Sequence, residues 1–303
     1  MTNFITVDNG VGLSRDMKIF ADTLGIKYNF VDYLTNKGLK PADVNVFFEV
    51  TKKGQLSAAR HNVLIPNPEW FPSEWLSFID RFDLVLCKTH HAQEVFSKYV
   101  GKRAVYIGWT SDDRKQETTK IRKFLHTAGK SETKNTKAVY QAFTNYHHLS
   151  QWNNESLLIT TAKPQGWLQP NDYVAVSNSR LSEKNMQTVQ NTFQFHVCPS
   201  EYEGFGHYIN EALSCGAIVI TTNAAPMNEL CRPDYSILCP AFKHRHMGIV
   251  ETYGVHAESI HNAVEVCESL TDDQIDAMSM KSRAAYEQGK KEFEMNAKGV
   301  WTW

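Results

Sequence analysis

The chain has 303 residues, 42% hydrophobic and 21% charged, which is enough apolar material for about two folded domains and excludes a disordered or fibrous chain. A formal net charge of −1 gives no global attraction for a polyanion. No run of roughly 18 apolar residues occurs, so no membrane span is expected, and Met1 to Asp8 lacks the basic and apolar regions of a signal peptide. Six scattered cysteines without a Cys-x-x-Cys pair read as reduced thiols of a cytoplasmic protein, not as disulfides or a zinc site.

Phe4 to Val7 is a short β-type run. It leads through Asp8-Asn9-Gly10-Val11-Gly12 into a helical pattern from Ser14 to Leu24. A glycine loop between strand and helix lets backbone amides approach a phosphate, so Gly10 and Gly12 are candidate ligand contacts, with Asp8 and Asn9 beside them for an acceptor. Further strands are expected at 29–33, 44–50, 62–66 and 83–89. Helical or polar segments fall at 57–61, 74–82 and 91–99, and a last strand at 103–108. Near-continuous apolar strands alternating with helices predict a parallel, doubly wound sheet that binds ligands at its strands' C-terminal ends. His61, His90 and His91 are candidates for a general base or an acceptor contact, solvated helix-edge histidines being the other reading. The polar stretch after Trp109 predicts a linker.

The second half opens on a strand, 123–129, ending in Gly129. Lys130 and Lys134 follow, then a helix from Lys137 to Tyr146. Cations at a helix N-terminus oppose its dipole, so a bound anion would explain them. Strands are expected at 157–161 and 173–177 and a helix at 182–190. After the strand 193–197 comes Pro199-Ser-Glu-Tyr-Glu-Gly-Phe-Gly206, then a helix from His207 to Gly216 and a strand at 217–221. Glu203 and Glu211 are eight residues apart, about two helical turns, so both can face the turn. With the amides of Gly204, Phe205 and Gly206 they form a setting for phosphate and polyol oxygens; an ordinary βαβ turn with two surface glutamates is the alternative. Beyond Thr222 the pattern predicts a loop through Pro226 and Met227, an edge strand at 237–240 and a basic loop at 243–247. Helices at 257–270 and 272–287 follow, with a terminal segment carrying Trp301 and Trp303.

Pro-Ser-x-x-Glu-Gly-Phe-Gly followed by Glu-Ala-x-x-x-Gly resembles the Glu-x7-Glu signature of retaining, nucleotide-sugar-dependent glycosyltransferases of the GT-B fold, in a minimal bacterial or viral form. The resemblance covers residues 124–287 well and the first half only in layout. It implies two Rossmann-like doubly wound domains facing a cleft. The acceptor domain would span 1–112, with a terminal helix of about 287–303 packing back on it, and the nucleotide-sugar domain 113–286. It further implies that Lys130 and Lys134 offset the leaving diphosphate's charge, although lysine stands at 130 where arginine is common. Glu203 would orient the sugar, Glu211 hold the ribose, and Pro226 and Met227 approach the donor. No metal and no cofactor beyond the donor substrate is expected, and Asp112-Asp113 does not follow the Asp-x-Asp pattern. The acceptor expected is a saccharide or glycoconjugate. A modified DNA base is the alternative, which 13 basic against 12 acidic residues in 1–112 do not support. A nucleotide-sugar epimerase and a non-catalytic sugar-nucleotide-binding protein are the readings from other classes.

Overall fold

The structure is a computed structural model that describes residues 1–8, 10, 12–145 and 156–303. Two six-stranded sheets, all parallel, form its frame. The first contains β1 (Thr2–Thr6), β2 (Tyr28–Asp32), β3 (Ala42–Phe48), β4 (Ala59–Ile65), β5 (Leu84–Cys87) and β6 (Ala104–Tyr106), in the order β2-β1-β3-β4-β5-β6. Helices α1 (Gly12–Leu24) and α2 (His90–Val100) lie on opposite faces of it. Along β3, Val46 and Phe48 face the α1 side and Phe47 the α2 side, which is why the end of the strand reads as a continuous apolar run.

The second sheet contains β7 (Ile121–Gly129), β8 (Leu157–Thr161), β9 (Val174–Ser177), β10 (Phe193–Cys198), β11 (Ile218–Thr222) and β12 (Ser236–Cys239), in the order β12-β11-β10-β7-β8-β9. It is flanked by α3 (Thr136–Asn145), α4 (Glu183–Thr192), α5 (His207–Ser214) and α6 (Ala257–Ser269). Each sheet reverses its strand order once, the first between β1 and β3, the second between β7 and β10. Loops leaving the C-terminal ends of strands at such a reversal diverge to opposite faces and leave a crevice for ligand.

Four segments differ from expectation. The helix beginning at Asp272 does not end at Glu287. It runs unbroken to Val300 as α7 (Asp272–Val300), roughly 44 Å long at 1.5 Å per residue. Gly289 and Gly299 each weaken a helix by about 1 kcal/mol, but packing at both ends holds it: Ile275 and Tyr286 in the second half's core, Phe293 and Ala297 in the first's. The segment 74–82 is not a regular helix but 3₁₀ turns broken at Phe78, and 57–61 is the end of a 3₁₀ turn running into β4. Residues 243–247 are not a loop. They belong to an antiparallel hairpin, β13 (Phe242–Met247) and β14 (Val250–Gly254). β13 is solvent-facing along nearly its whole length, so it lacks the two-residue hydrophobic alternation that announces a strand.

The hairpin belongs to the second half but rests on the first. Its Gly248 has φ +52, and a side chain there would sit 2.3 Å from the Pro68 carbonyl oxygen, so only glycine permits this approach. Ile249 N–H donates to the same oxygen at 3.3 Å. All six cysteines are buried and free. Among the described residues no helix is long and apolar enough to cross a membrane.

Candidate active site

Loops after β1, β3, β4 and β5 face loops after β7 and β10 across the cleft. The β1 loop shapes itself: Asp8 Oδ1 accepts from Ser14 Oγ at 2.6 Å and Gly10 N–H at 3.2 Å, and these hydrogen bonds hold its carboxyl below the usual range. Gly10 takes φ +63 in that turn and Gly12 starts α1. Asn9 lies outside the described residues, as does Tyr146, the expected end of α3.

One turn into α1, the buried Asp16 joins the halves. It accepts from Lys88 Nζ (2.5 Å), Trp109 Nε1 (2.7 Å) and, from the second half, pairs with His207 Nε2 (2.9 Å). Burial pushes its carboxyl up, but the charges and hydrogen bonds of Lys88 and His207 outweigh burial and hold it at about 2. Lys88 also donates to Asn67 Oδ1 at 3.2 Å, and Asn67 donates to Glu49 Oε2 at 2.5 Å. Against this chain lies the β10 loop. A Cβ at Gly204 would fall 2.2 Å from Asn67 Oδ1, and the Phe205 side chain inserts into the first half's core. Gly204 and Gly206 (φ +100) thus let Phe205 plug one half into the other.

The second half supplies Lys134, Glu203 and Glu211. Lys134 closes a 3₁₀ turn before α3. Its Nζ donates to the Thr127 carbonyl at 3.2 Å and lies 3.7 Å from the Tyr208 ring centre. Ser200 Oγ donates to Glu203 Oε1 at 2.6 Å. Lys134, Tyr202 and Glu203 line a cavity of about 130 Å³ with Glu69 and Trp70 of the first half, under Met247 of the hairpin. Lys130, just past Gly129, is exposed and outside this cavity.

Glu211 is buried and fully engaged. Its Oε1 accepts from Arg15 (2.7 Å) and Arg114 (3.3 Å), its Oε2 from Gln190 (2.8 Å), and both arginines also hold Glu183. Met227 does not face the cleft with its side chain: it is wholly buried in the core against α5, and Pro226 beside it is buried as well. His61 also stands apart. It lies at the N-terminal end of β4, away from the ligand-binding loops, with Trp303 at 5.4 Å between ring centres and Asp83 at 3.6 Å. His90 and His91 begin α2, and their N–H groups donate to Glu229 of the second half at 2.7 and 2.8 Å. The His90 ring stacks on Tyr106 at 3.7 Å, and burial lowers His91. Asp113 is held by Arg283 at 2.6 and 2.7 Å.

Sequence reasoning did not single out Glu69. Its side chain is buried, its Oε2 has no hydrogen-bond partner, and burial, reinforced by Glu49 and Glu203, raises it to about 8 against a smaller pull from Lys88. A carboxyl raised on folding contributes stability that is fully present below the ordinary glutamate value and is lost as pH rises towards 8. Glu69→Gln, which has no proton to lose, should therefore become progressively more stable than the wild type between pH 5 and 8, by at most about 1.4 kcal/mol per pH unit, and level off above. Denaturation midpoints at pH 5, 6.5 and 8 check this; a constant difference would contradict it.

Residues 178–284 match the family described as glycosyl transferases group 1. No curated protein matches the sequence. Among solved structures, the chain is similar to a glycosyltransferase from Rickettsia africae ESF-5 (TM-score 0.73, 11% identity, covering 99% of this chain and 96% of that one). It is similar to Anabaena Alr3699/HepE in complex with UDP and glucose (TM-score 0.69, 13% identity, 99% and 98% covered). It is also similar to the pneumococcal O-GlcNAc transferase GtfA in complex with UDP and GlcNAc (TM-score 0.66, 16% identity), where it covers 86% of this chain but spans 57% of that one. It spans 56% of the chain in the GtfA/B complex. The shared feature is the fold: GT-B, two Rossmann-like domains facing a cleft.

Proposed function

We propose that the protein is a retaining glycosyltransferase that moves a sugar from a nucleotide-diphospho-sugar to a hydroxyl of a saccharide or glycoconjugate. The observation that carries this reading is the meeting of Lys134 and Glu203 in one cavity at the strand-order reversal of the second sheet. The match of residues 178–284 to group 1 glycosyl transferases supports it. Lys134, with Lys130 four residues before it in the chain, stabilises the negative charge that develops on the departing diphosphate, without a metal. Glu203, kept in place by Ser200, accepts hydrogen bonds from the sugar. Retention follows if the acceptor hydroxyl attacks from the face the diphosphate leaves, the diphosphate taking the proton, so no protein nucleophile is required. Glu211 receives the ribose hydroxyls in exchange for Arg15, the partly exposed member of its arginine pair. The six buried free cysteines fit a reducing, cytoplasmic setting.

A thermal-shift and turnover screen with UDP-, GDP-, ADP- and dTDP-sugars tests the reading. One donor should shift the melting temperature selectively, release its nucleoside diphosphate slowly without acceptor, and give a product that keeps the donor's anomeric configuration by NMR. Conversion to an isomeric nucleotide-sugar, or no response to any donor, would sink it.

A further inference from the structure

The hairpin β13–β14 depends on its neighbours to stay folded. Two strands without a third are marginal in water, and β13 faces solvent along nearly its whole length, so the hairpin has scarcely a core of its own. A bulge between Lys243 and His246 interrupts its ladder. What holds it lies at its two ends. At the base, the Phe242 ring stacks on His256 at 4.3 Å. Tyr253 N–H donates to the Glu201 carbonyl at 2.8 Å and Arg245 to the Glu201 carboxylate at 2.9 Å. Glu201 N–H donates in turn to the carbonyl of Thr133, the residue before Lys134, at 2.8 Å. The base is thus tied to the two loops that carry Lys134 and Glu203. The tip crosses to the other half. Gly248 seats on the Pro68 carbonyl, Ile249 packs against the first half's core, and Val250 packs with Tyr202 and with Val95 of α2. Met247, just before the seat, forms part of the wall of the cavity that holds Lys134 and Glu203. A weak unit, pinned at one end and seated at the other, opens at a lower free energy than the sheets around it.

We propose that the hairpin is a strap: it fastens the second half to the first beside the Lys134–Glu203 cavity and lifts about its base to let ligand pass. Seated, the strap supplies Met247 to the cavity wall. Lifted, it takes that wall away and draws on Glu201, so the loops that carry Lys134 and Glu203 register its position. That the passing ligand is a nucleotide-sugar rests on the transferase reading; the lifting rests on the hairpin alone.

Two substitutions unseat the tip: Gly248→Val by collision with the Pro68 carbonyl, and Ile249→Ser by weakening its apolar contact. Melting temperature is the control for folding. Val250→Cys, in the unchanged chain and in each variant, places a thiol that is covered while the strap is seated, since Val250 is 5% exposed. The six native cysteines are buried and record global unfolding. N-ethylmaleimide should label the Val250→Cys thiol before the native thiols, and about tenfold faster again once the tip is unseated. Labelling only in step with the native thiols, or at one rate in all three backgrounds, overturns the strap. Stopped-flow binding of the nucleoside diphosphate identified by the donor screen gives the second readout, by tryptophan fluorescence, Trp70 lying in the cavity wall. Association and dissociation rates should rise together by about tenfold in both variants while Kd stays within about threefold, because a gate alters passage and leaves the bound state alone. Rates that do not move overturn the gating. If no nucleoside diphosphate binds the wild type, the transferase reading fails separately, and the labelling decides whether the hairpin lifts.

Discussion

Lys134→Ala should lower kcat by about 10²- to 10³-fold, the loss seen when one preorganised charge-stabilising donor is removed from a site of acyl transfer. The expectation for phosphate departure is similar, because Lys134 sits in the cavity with Glu203 and, among the described residues, donates to the Thr127 carbonyl alone. Its ammonium is partly solvated over the Tyr208 ring, so removing it strands no buried carboxylate and the melting temperature should hold. Lys134→Arg should recover part of the rate, since charge survives while the shape of the donor changes. Lys130 lies outside the cavity, and its alanine variant should raise KM more than it lowers kcat. Steady-state kinetics with the donor found by screening decide it: a kcat for Lys134→Ala within threefold of wild type would remove Lys134 from the proposed chemistry.

The largest effect on stability is expected at Lys88. Lys88→Met should cost about 3–5 kcal/mol, because it leaves the Asp16 carboxylate buried with Trp109 and His207 beside it and its lysine gone. The same cluster imposes an acid limit. Asp16 is held near 2 in the folded protein, below its unfolded value, so its contribution is complete above about pH 4 and is lost as pH falls from there towards 2, amounting to about 2–3 kcal/mol. In Lys88→Met this acid loss should shrink, since Asp16 then folds at a higher pKa. Urea denaturation at pH 7 and at pH 3 measures both; a Lys88→Met protein within 1 kcal/mol of wild type at pH 7 would show that His207 and Trp109 suffice.

The sheets and the β10 loop are legible in the sequence because their signals are local. Val46, Phe47 and Phe48 report a strand covered on both faces, and Glu203, Gly204, Gly206 and Glu211 report a strand–turn–helix within a dozen residues. The polar clusters that join the halves are not legible. Asp16 meets His207 191 residues away, Arg15 meets Glu211 at a separation of 196, and Glu229 caps a helix 138 residues before it. No spacing rule reaches so far; only the topology brings these residues together. For the same reason Glu211 reads as a free carboxylate in the sequence, whereas two arginines and a glutamine already hold it. Glu69 carries no motif at all, and its character comes from burial among other carboxylates. His61 stands apart because it sits near the N-terminal end of β4, opposite the loops that leave the strands' C-terminal ends.

The long helix α7 has a consequence for the order in which the protein can be built. Phe293 and Ala297 complete the core over α1, and Trp301 packs edge-on against Phe20 at 5.5 Å. These residues follow every strand of the second sheet in the chain. A ribosome therefore releases all of the second sheet before the last wall of the first domain's core exists. The first domain must wait, with Phe4, Phe20 and Trp109 incompletely covered, until its distant closing segment arrives.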